Sequence, residues 1–589
     1  MCGIFGALSK TEEIIIEKNL LPHRGPDDWG VFYDEPPNCF LTLFQSRLSI
    51  IGLGAQGHQP YKKYNDYVLV FNGEIYNFKE IKEKLIKEFG INFTTSTDTE
   101  VLYESLIHLG LNITLALCNG LFAFGFYDKK KQTLCIARDH LGIKPLYYIH
   151  SSNIFSFTSE IKTFFELDII KPLIRKDLLG EYFANGWIYE PDTLFQNIYK
   201  LKAGHFAVFN FNNNDLDIKK YWDIDDKNGI HYTVEEIVKR QTVADVSFGI
   251  YLSGGIDSSL VELALKNNHT FNLNISLSDG ESERVSLLER LYNLEVFKIQ
   301  GIDQSLNLYD KLIYYLDEPI ADAAIIPAYE LARISRENGK IVMLSGMGGD
   351  EIDGGYSRHL IIKNLLFVKL LRFLPLSLLL VKGKIKRNIF RLKAFAKEPK
   401  PENYFALTSY LTKTEINKLT DNKWFPNYSK KINDMCKTVQ GNKKYFYLDF
   451  KGFLASHNLI YMDKASMAAS VEVRVPLLDK NLASSFFPNI NTSARFKLKP
   501  RLKRMLEDKL GKNYKNTKKE GFRYPYYEWL RSEINWDEIF IFFESLQLIN
   551  TQIVKIWVKE IENDIDSVGM KLLYVYTLYR WMKIFNVKT

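Results

Sequence analysis

The fold of the C-terminal part of this chain is decided by residues 249–259, which read Gly-Ile-Tyr-Leu-Ser-Gly-Gly-Ile-Asp-Ser-Ser. Ile250, Tyr251 and Leu252 form a short apolar run typical of a strand, and a helix is predicted over 260–266. The glycines between them carry no Cβ atom, so an anion can approach the backbone N–H groups closely. A strand, a glycine turn and a helix N-terminus in this order predict a site for a phosphate group.

Hydroxyl and carboxylate side chains of the same stretch support this prediction. Ser253, Ser258 and Ser259 can donate to phosphate oxygens, and Asp257 can hold a metal ion beside them. No Gly-Lys pair of the chain is followed by Ser or Thr, so an ordinary Walker A loop is excluded. We therefore expect a glycine-rich pyrophosphate loop of another kind.

A second loop of similar composition lies about ninety residues further along the chain. The apolar run 341–344 leads into Ser345-Gly346-Met347-Gly348-Gly349-Asp350-Glu351. From about residue 230, strands alternate with long amphipathic helices, which predicts an α/β fold with a parallel sheet covered by helices on both faces. The carboxyl ends of such strands share one edge, so the two loops predict one nucleotide site. Asp257 and Asp350 would then be the paired carboxylates for Mg²⁺ beside ATP.

The N-terminal part has a different pattern, which predicts an α+β domain of layered antiparallel sheets flanked by helices. The predicted strands are 40–43, 67–72, 121–127, 133–137 and 155–158, and the predicted helices are 78–88 and 98–109. The Asn- and Asp-rich stretch 210–217 is interpreted as a linker or a hairpin end. We place a first domain at 1–208 and a second at 230–589, with a helical insertion at about 360–400.

Composition limits the class of protein. The chain has 589 residues, 46% of them hydrophobic, and a formal charge of +7, so a globular protein of several cores is expected and nucleic acid is not an expected partner. The 5 cysteines include no CxxC pair, which suits a reducing compartment. The N-terminus lacks a basic region before its short apolar run and so does not resemble a signal peptide. A cytoplasmic protein is expected.

Residues 360–389 raise the question of a membrane. Leucines there are interleaved with lysines and arginines, and no charge-free run of about 18 residues exists, so no transmembrane segment is predicted. Two interpretations stay open: amphipathic core helices in an insertion, or a face for peripheral contact with a membrane or a partner. A homodimer is also left open.

The first residues suggest a nucleophile. Initiator methionine is normally removed before a residue as small as Cys2, which would make cysteine the first residue of the mature chain. Its free α-amino group, with a pKa near 8, could then act as the base for its own thiol. Asn72-Gly73 can offer a side-chain amide and a backbone N–H to a developing oxyanion.

A pocket for an amino acid is predicted beside this nucleophile. Arg47 could pair with a substrate carboxylate, and Glu74 and Asp98 could take up its ammonium group. An amino-acid amide that a cysteine cleaves is glutamine, which this pocket would fit.

At this point the whole chain resembles the glutamine-hydrolysing asparagine synthetases of the B type, which join an N-terminal-cysteine, Ntn-hydrolase-like glutaminase to an N-type ATP pyrophosphatase. The resemblance rests on Met1-Cys2-Gly3-Ile4-Phe5-Gly6, His23-Arg24-Gly25-Pro26-Asp27, Arg47-Leu48-Ser49-Ile50, Asn72-Gly73-Glu74-Ile75-Tyr76-Asn77, Asp98, 120–124, Arg138-Asp139-His140-Leu141-Gly142, 253–259, Asp350-Glu351 and 466–479. It runs from residue 1 to about 510.

The resemblance implies two half-reactions. Cys2 attacks the glutamine amide, with Asn72 and Gly73 stabilising the oxyanion and Ile50 also lining the glutamine site. A carboxylate then attacks the α-phosphorus of MgATP, and ammonia that has passed between the domains displaces AMP. The residues implied for the nucleotide are Leu252, Ser253, Gly254, Gly255, Asp257, Ser258, Ser259, Ile275, Ser345 and Gly346. Lys499 would stabilise the adenylation transition state.

The departures from the family pattern lie in the C-terminal part. Met347 stands where many members carry Asp or Glu, Ala324 where serine is usual, and Asp353 where phenylalanine is usual. The acceptor pocket, assigned to Asp322, Ala324, Met347 and Glu351, is therefore less polar than expected. Three hypotheses stay open: aspartate as the acceptor, another carboxylate such as a uronic acid of a surface-polysaccharide precursor, and an inactive regulatory or binding paralogue.

Overall fold

The computed structural model describes residues 2–225, 232–265, 271–274, 279–299, 301–370, 383–420, 424–490, 496–511, 514 and 526–589. The residues up to 225 are called the N-terminal half below, and those from 232 onward the C-terminal half. The predicted nucleotide residue Ile275 lies outside the described residues.

The described part of the N-terminal half contains two antiparallel sheets, of six and five strands. The first has the order β2-β3-β1-β8-β7-β9 and the second β11-β10-β6-β5-β4. The strands are β1 Gly3–Ser9, β2 Asp28–Asp34, β3 Phe40–Arg47, β4 Tyr67–Ile75, β5 Gly120–Asp128, β6 Thr133–Arg138, β7 Tyr147–His150, β8 Ile154–Thr158, β9 Tyr199–Lys200, β10 His205–Asn210 and β11 Asp215–Lys220.

One apolar core lies between these two sheets. It combines Ile4 and Leu41 of the first sheet with Val70 and Ile136 of the second, all buried. The outer face of the second sheet packs on helices α1 and α2 through Phe71, among others. The helices of this half are α1 Phe78–Phe89, α2 Asp98–His108, α3 Leu111–Leu117, α4 Lys162–Glu166 and α5 Leu179–Asn185. The predicted antiparallel layers flanked by helices are confirmed.

The stretch 210–217, predicted as a linker or a hairpin end, is the end of a hairpin. β10 and β11 pair in antiparallel register around it, with Asn210 opposite Asp215. The predicted boundary at 208 therefore falls within β10, and the second sheet continues to Lys220, because the turn closes a hairpin and does not connect two domains. The rest of the two-domain division stays a prediction.

The described part of the C-terminal half contains a parallel five-stranded sheet in the order β14-β13-β12-β15-β16. The strands are β12 Phe248–Tyr251, β13 Phe271–Asn274, β14 Val296–Lys298, β15 Val342–Ser345 and β16 Glu472–Arg474. The predicted parallel sheet is confirmed. Because β12 and β15 are neighbours and run in the same direction, their C-terminal loops lie side by side at one edge.

Helices make up most of the remaining C-terminal half. They are α6 Val234–Arg240, α7 Ile256–Leu265, α8 Asp279–Tyr292, α9 Leu306–Leu316, α10 Ile325–Glu337, α11 Gly349–Ile352, α12 Ser357–Lys363, α13 Leu365–Leu370, α14 Gly383–Lys397, α15 Phe405–Thr408, α16 Lys413–Thr420, α17 Phe425–Met435, α18 Lys443–Leu448, α19 Leu459–Met467, α20 Lys480–Phe486, α21 Pro500–Leu510, α22 Tyr526–Glu528, α23 Trp536–Leu546, α24 Thr551–Lys559 and α25 Ile561–Ile584. A π-helical turn, Asp449–Asn458, precedes α19. Helix α7 packs on α6 and α21, and α10 packs on α19.

The predicted insertion at about 360–400 is helical where the structure describes it. Helix α13 leaves three apolar side chains exposed to solvent, since Leu366, Phe367 and Leu370 are 78%, 62% and 63% accessible. Within the described part of the chain, no helix is both long enough and apolar enough to span a bilayer. Peripheral contact of this region with a membrane or a partner stays a prediction.

Buried contacts join the two halves. Ile50 packs against Val342 and Met467 in a small apolar cluster. Asp463 of α19 receives ion pairs from Arg24 at 2.9 Å and from Lys144 at 3.4 Å. Arg24 also pairs with Glu160 of its own half at 3.0 Å, whereas Asp463 receives both of these ion pairs from the N-terminal half. Because a buried carboxylate needs partners, these pairs favour contact between the two halves at α19.

Candidate functional site

Cys2 lies at the beginning of β1 and is 7% accessible. Its backbone nitrogen donates a hydrogen bond of 3.0 Å to Oδ1 of Asn72, and its carbonyl oxygen accepts one of 3.0 Å from Nε of Arg24. Burial raises the pKa of the Cys2 thiol, so a base close to the sulfur is needed to form the thiolate. The nitrogen of Cys2 is such a group once Met1 has been removed.

Asn72 is the second member of this site. It is fully buried in β4, where its neighbour Gly73 pairs opposite Phe122 of β5. Its Nδ2 is buried and makes no hydrogen bond within the part of the chain that the structure describes. A buried amide N–H without an acceptor is costly, and an oxyanion formed beside Cys2 would supply the acceptor.

Gly73 is required by the close pairing of β4 with β5. Its φ is 154°, and a Cβ atom there would lie 2.2 Å from the carbonyl oxygen of Leu121. Any larger residue would push β4 away from β5 and move Asn72 with it. The predicted pair Asn72-Gly73 is therefore placed by strand geometry beside Cys2, the predicted nucleophile.

Two buried carboxylates lie near the end of β4: Glu74 in the strand itself and Asp98, the first residue of α2. Burial, together with Asp98 and Glu472, raises the pKa of Glu74 well above its usual range, and burial raises the pKa of Asp98 to about 6. Oε2 of Glu74 makes no hydrogen bond within the described chain, while Oδ2 of Asp98 accepts one from the N–H of Ile75 at 2.9 Å. A cation bound between these two acidic groups, such as the ammonium group of an amino acid, would favour their ionised forms and lower their pKa values.

The structure places Arg47 differently from the simplest expectation. Its guanidinium donates to the carbonyl oxygens of Ile51, Gly52 and Gly54 at 2.7 to 3.3 Å, which holds the loop after β3. No carboxylate of the described chain forms an ion pair with it. Arg47 borders the predicted glutamine site together with the buried Ile50, and its role toward a substrate carboxylate stays a prediction.

The predicted phosphate loop connects β12 to α7. The helix begins at Ile256, four residues before the predicted start, so Asp257 lies in its first turn. Gly254 has a φ of 77°, and Oγ of Ser253 lies 3.1 Å from Oγ of Ser258. Ser253 is exposed, whereas Leu252 and Ser259 are fully buried. The glycine turn, the hydroxyl groups and the helix N-terminus form the predicted arrangement.

The second loop lies against the first. A Cβ atom on Gly346 would lie 2.5 Å from the backbone nitrogen of Ser258, and one on Gly349 would lie 2.3 Å from Oδ1 of Asp257. Because β12 and β15 are neighbours, Ser345 and Gly346 lie at the predicted nucleotide site. The two loops can approach so closely because Gly346 and Gly349, which face the first loop, have no side chain. This closeness agrees with a single nucleotide site.

Lys499 lies between the two predicted metal ligands. Its Nζ contacts Oδ2 of Asp257 and lies 2.9 Å from Oδ1 of Asp350. Although burial lowers it, these two carboxylates raise the pKa of Lys499 above its usual value, so the ammonium group stays charged. The convergent carboxylates also fit Mg²⁺ with phosphate oxygens completing its shell. The described chain has no group of three or more His, Cys, Asp or Glu residues suited to a metal ion.

Asp353, which the sequence showed only as a departure from the family pattern, holds the helix that follows Lys499. It is fully buried, and its Oδ2 accepts hydrogen bonds from the N–H groups of Arg501 at 2.8 Å and Leu502 at 2.9 Å. Its Oδ1 pairs with Nε of Arg501 at 2.9 Å. Helix α21 has no cap from the Lys499 side chain, so Asp353 supplies it from the loop that carries Asp350.

The substitution Asp353→Ala is expected to lower both stability and pyrophosphate release. Loss of the acceptor leaves two buried N–H groups unpaired, which costs about 1–3 kcal/mol, and frees Lys499 from its position. We expect a lower midpoint of thermal unfolding and at least about a tenfold loss of ATP-dependent activity, with Asp353→Asn less affected. Asp508→Ala, which removes an exposed carboxylate from the same helix, is the matched control. Wild-type activity of Asp353→Ala would contradict this role.

The predicted acceptor residues are connected by hydrogen bonds. Asp322 pairs with Nε2 of His457 at 3.2 Å, and Nδ1 of His457 lies 2.8 Å from Oδ1 of Asn458. Asn458 in turn donates to Oε1 of Glu351 at 3.2 Å, an atom that also accepts from the hydroxyl of Tyr356 at 2.6 Å. Asp322 and Glu351 are thus brought together by the π-helical turn, which the sequence did not indicate.

The remaining acceptor residues are apolar. Met347 and Ala324 are both half-buried, and the N–H of Ala324 donates to Oδ1 of Asp322 at 2.9 Å. Aromatic rings surround His457: Phe453 at 5.1 Å, Tyr461 at 5.2 Å and Trp187 at 6.0 Å between ring centroids. The pocket therefore combines a short polar chain with an aromatic wall.

Sequence reasoning missed several residues of these sites, among them Arg474, Tyr356, His457 and Asn458. Tyr356 lies five residues from Glu351, which it bonds, but Arg474, His457 and Asn458 reach their sites from elements far away in the sequence. Arg474 and His457 lay in or next to the matched stretch 466–479, but no spacing related them to Glu74 or Asp322.

Two family models match the chain in agreement with these two sites. The model described as a glutamine amidotransferase domain covers residues 1–222, and the one described as asparagine synthase covers residues 229–541. The first contains Cys2, Asn72 and Asp98, and the second contains both glycine loops and Lys499.

Several curated relatives are named as glutamine-hydrolysing asparagine synthetases. A protein of Bacillus subtilis named asparagine synthetase [glutamine-hydrolyzing] 1 is 31% identical over 91% of this chain and 89% of its own length. A Mycobacterium tuberculosis protein named as a putative asparagine synthetase is 29% identical over 87% of this chain and 84% of its own. One of Methanocaldococcus jannaschii with a similar name is 34% identical over 61% and 76%. Since one relative passes 30% identity over nearly its whole length and both family models match in the expected order, this chain belongs to the family of glutamine-hydrolysing asparagine synthetases.

Proposed function

We propose that this protein makes asparagine from aspartate, with ATP as the activating substrate and glutamine as the nitrogen donor. The observation that carries the proposal is the presence, in one chain, of both sites in assembled form. Asn72 holds an unpaired Nδ2 next to Cys2, and Lys499 lies between Asp257 and Asp350 beside two glycine loops.

In the first half-reaction, the Cys2 thiolate attacks the side-chain amide carbon of glutamine. The α-amine of Cys2 takes the thiol proton and passes it to the leaving nitrogen, which departs as ammonia. Asn72 Nδ2 and the N–H of Gly73 bind the oxyanion. Water then hydrolyses the thioester and releases glutamate. Glu74 and Asp98 hold the substrate ammonium group, and Arg47 lies at the carboxylate end.

In the second half-reaction, the acceptor carboxylate attacks the α-phosphorus of ATP and displaces pyrophosphate. Leu252 to Gly255, Ser258, Ser259, Ser345 and Gly346 would line the nucleotide, and Lys499 would stabilise the negative charge that develops at the α-phosphate. Mg²⁺ held by Asp257 and Asp350 would neutralise the pyrophosphate. Ammonia then attacks the acyl adenylate and AMP leaves. Passage of ammonia inside the protein would keep it unprotonated.

The acceptor pocket also supports a second candidate, in which the same chemistry amidates a larger carboxylate such as a uronic acid. Met347 offers no charge to the ammonium group of an amino acid, and the rings of Phe453, Tyr461 and Trp187 provide apolar faces beside His457. Aspartate remains the first proposal because Glu351 and Asp322 supply two carboxylates for its ammonium group.

One assay distinguishes the two candidates. The purified protein is incubated with MgATP and glutamine, and pyrophosphate and amidated product are measured with aspartate, with glucuronate or galacturonate, and with no acceptor. We expect pyrophosphate and asparagine to form in equal amounts when aspartate is the acceptor, and neither uronic acid to raise pyrophosphate above the level without acceptor. If glutamine is hydrolysed but aspartate raises no pyrophosphate, the acceptor assignment is wrong, and release with a uronic acid would establish the second candidate.

A further inference from the structure

Arg474 brings a positive charge from the C-terminal half into the glutamine site. It is the last residue of β16, at the edge of the parallel sheet, and it is fully buried. Its NH2 atom lies 3.8 Å from Oε1 of Glu74, which belongs to β4 of the N-terminal half. The ring of Tyr76 lies 5.6 Å from its Cζ atom.

The guanidinium is held firmly by its other donors. NH1 donates to the carbonyl oxygens of Gln241 and Val243, both at 2.7 Å, and Nε pairs with Glu472 at 2.5 Å. NH2 makes no hydrogen bond within the described chain. The arginine therefore has a fixed orientation in which its remaining donor faces Glu74.

Charge counting shows why Glu74 needs this neighbour. Glu74, Asp98 and Glu472 are three buried carboxylates: Asp98 and Glu472 raise the pKa of Glu74, and Glu472 raises that of Asp98, whereas Arg474 lowers the pKa of both Glu74 and Asp98. Although burial opposes it, Arg474 also lowers the pKa of Glu472 to about 2. Arg474 compensates part of this negative charge, and the ammonium group of glutamine would compensate a further part.

We propose that Arg474 is a positioning residue of the glutamine site, which orients Glu74 for the ammonium group, favours its ionised form and couples this site to the nucleotide loop. The coupling follows from the sheet: Arg474 pairs in register with Leu344 of β15, and the next residue of β15 is Ser345 of the loop. Through this pairing, a shift of β15 on nucleotide binding would move Arg474 relative to Glu74. The inference rests on the proposed function of the glutamine site and adds a residue from the opposite half to it.

Coupling between the nucleotide loop and the glutamine site can be measured through ligand affinities. If binding at the nucleotide loop changes the affinity for glutamine, glutamine must change the affinity for the nucleotide by the same factor. The glutaminase reaction of the wild type, measured without and with MgATP and acceptor, is expected to show glutamine KM values that differ by at least about threefold.

The test compares Arg474→Gln and Arg474→Lys with the wild type. For Arg474→Gln we expect the glutamine KM of the glutaminase reaction to rise at least about tenfold with kcat within about threefold, because an interaction with bound substrate is lost before and in the transition state alike. Arg474→Lys keeps the charge and is expected to recover part of the affinity. In Arg474→Gln, pyrophosphate release driven by added ammonia should stay within about twofold of the wild-type rate. The effect of MgATP on the glutamine KM should disappear in this variant.

Arg336→Gln is the matched control, since Arg336 also bonds a backbone oxygen next to β16, that of Ser470, but has no contact with Glu74 in the described structure. An unchanged glutamine KM in Arg474→Gln, or a parallel fall of the ammonia-driven reaction, would overturn the positioning role. A wild-type glutamine KM that does not respond to MgATP would overturn the coupling. If the wild type hydrolyses no glutamine at all, the proposed function itself fails, which is a distinct result.

Discussion

The substitution Cys2→Ala is expected to abolish glutamine hydrolysis while leaving the ammonia-driven reaction intact. Alanine has no nucleophile, and Cys2 is the cysteine whose backbone nitrogen bonds Asn72, so a fall of at least about 10³-fold in glutaminase kcat is expected. Pyrophosphate release with added ammonium salt should stay near the wild-type rate because Lys499 and both glycine loops are untouched. Glutamate and pyrophosphate release are measured in parallel on the same protein.

Cys39→Ala is the matched control for this experiment. Cys39 has the same 7% accessibility as Cys2 and lies in the same half of the protein, in the core between the sheets. It should keep glutaminase activity. Equal losses in both variants would show that the effect is structural, and glutaminase activity remaining in Cys2→Ala would remove Cys2 from the mechanism. Mass spectrometry of the wild type shows whether Met1 has been removed.

Lys499→Met is expected to abolish most pyrophosphate release while leaving glutamine hydrolysis intact. Methionine keeps much of the side-chain length but removes the ammonium group from between Asp257 and Asp350. Loss of a group aimed at the charge that develops in a transition state typically costs about 10²- to 10³-fold, so pyrophosphate release should fall by at least that factor with either nitrogen donor. Glutamine hydrolysis should continue, because Cys2 and Asn72 lie in the other half.

Arg504→Ala tests whether any basic residue of this helix matters equally. Arg504 lies on α21 as well and is exposed, so its removal should leave pyrophosphate release unchanged. Adenylation at the wild-type rate in Lys499→Met would refute the assigned role. Thermal unfolding of the two variants distinguishes a local loss of charge from unfolding of the helix.

Local pattern was enough to predict the main strands and the order of the two folds. The run 67–72 is short, apolar and bounded by Asp and Asn, and the apolar residues of 98–109 recur at three and four; the structure places β4 and α2 there. The hairpin at β10 and β11 was harder, since Asn-rich turns serve equally as linkers and as hairpin ends. The predicted start of α7, residue 260, is four residues later than the observed start at Ile256, because the preceding glycine pair interrupts the apolar periodicity of the helix.

The candidate residues show the same division. Cys2, Asn72, Asp257 and Asp350 could be chosen from the sequence because each stands in a short motif whose chemistry is local. Asp353 could be seen only as a departure from the family pattern. Its hydrogen bonds to the N–H groups of Arg501 and Leu502 span about 150 residues of chain, which no periodicity reports.

The sequence by itself determined the two chemistries of this protein, a cysteine nucleophile at one end and a pyrophosphate loop beyond residue 249, because glycines, hydroxyls and carboxylates at short spacing restrict what a backbone can bind. Only the tertiary structure decided which distant groups surround them. Arg474 beside Glu74, Asp353 at the start of α21 and His457 beside Asp322 are each a buried polar or charged side chain that meets a partner from a remote element. A buried polar or charged group needs such a partner, but which residue becomes the partner depends on how the remote elements pack in the fold.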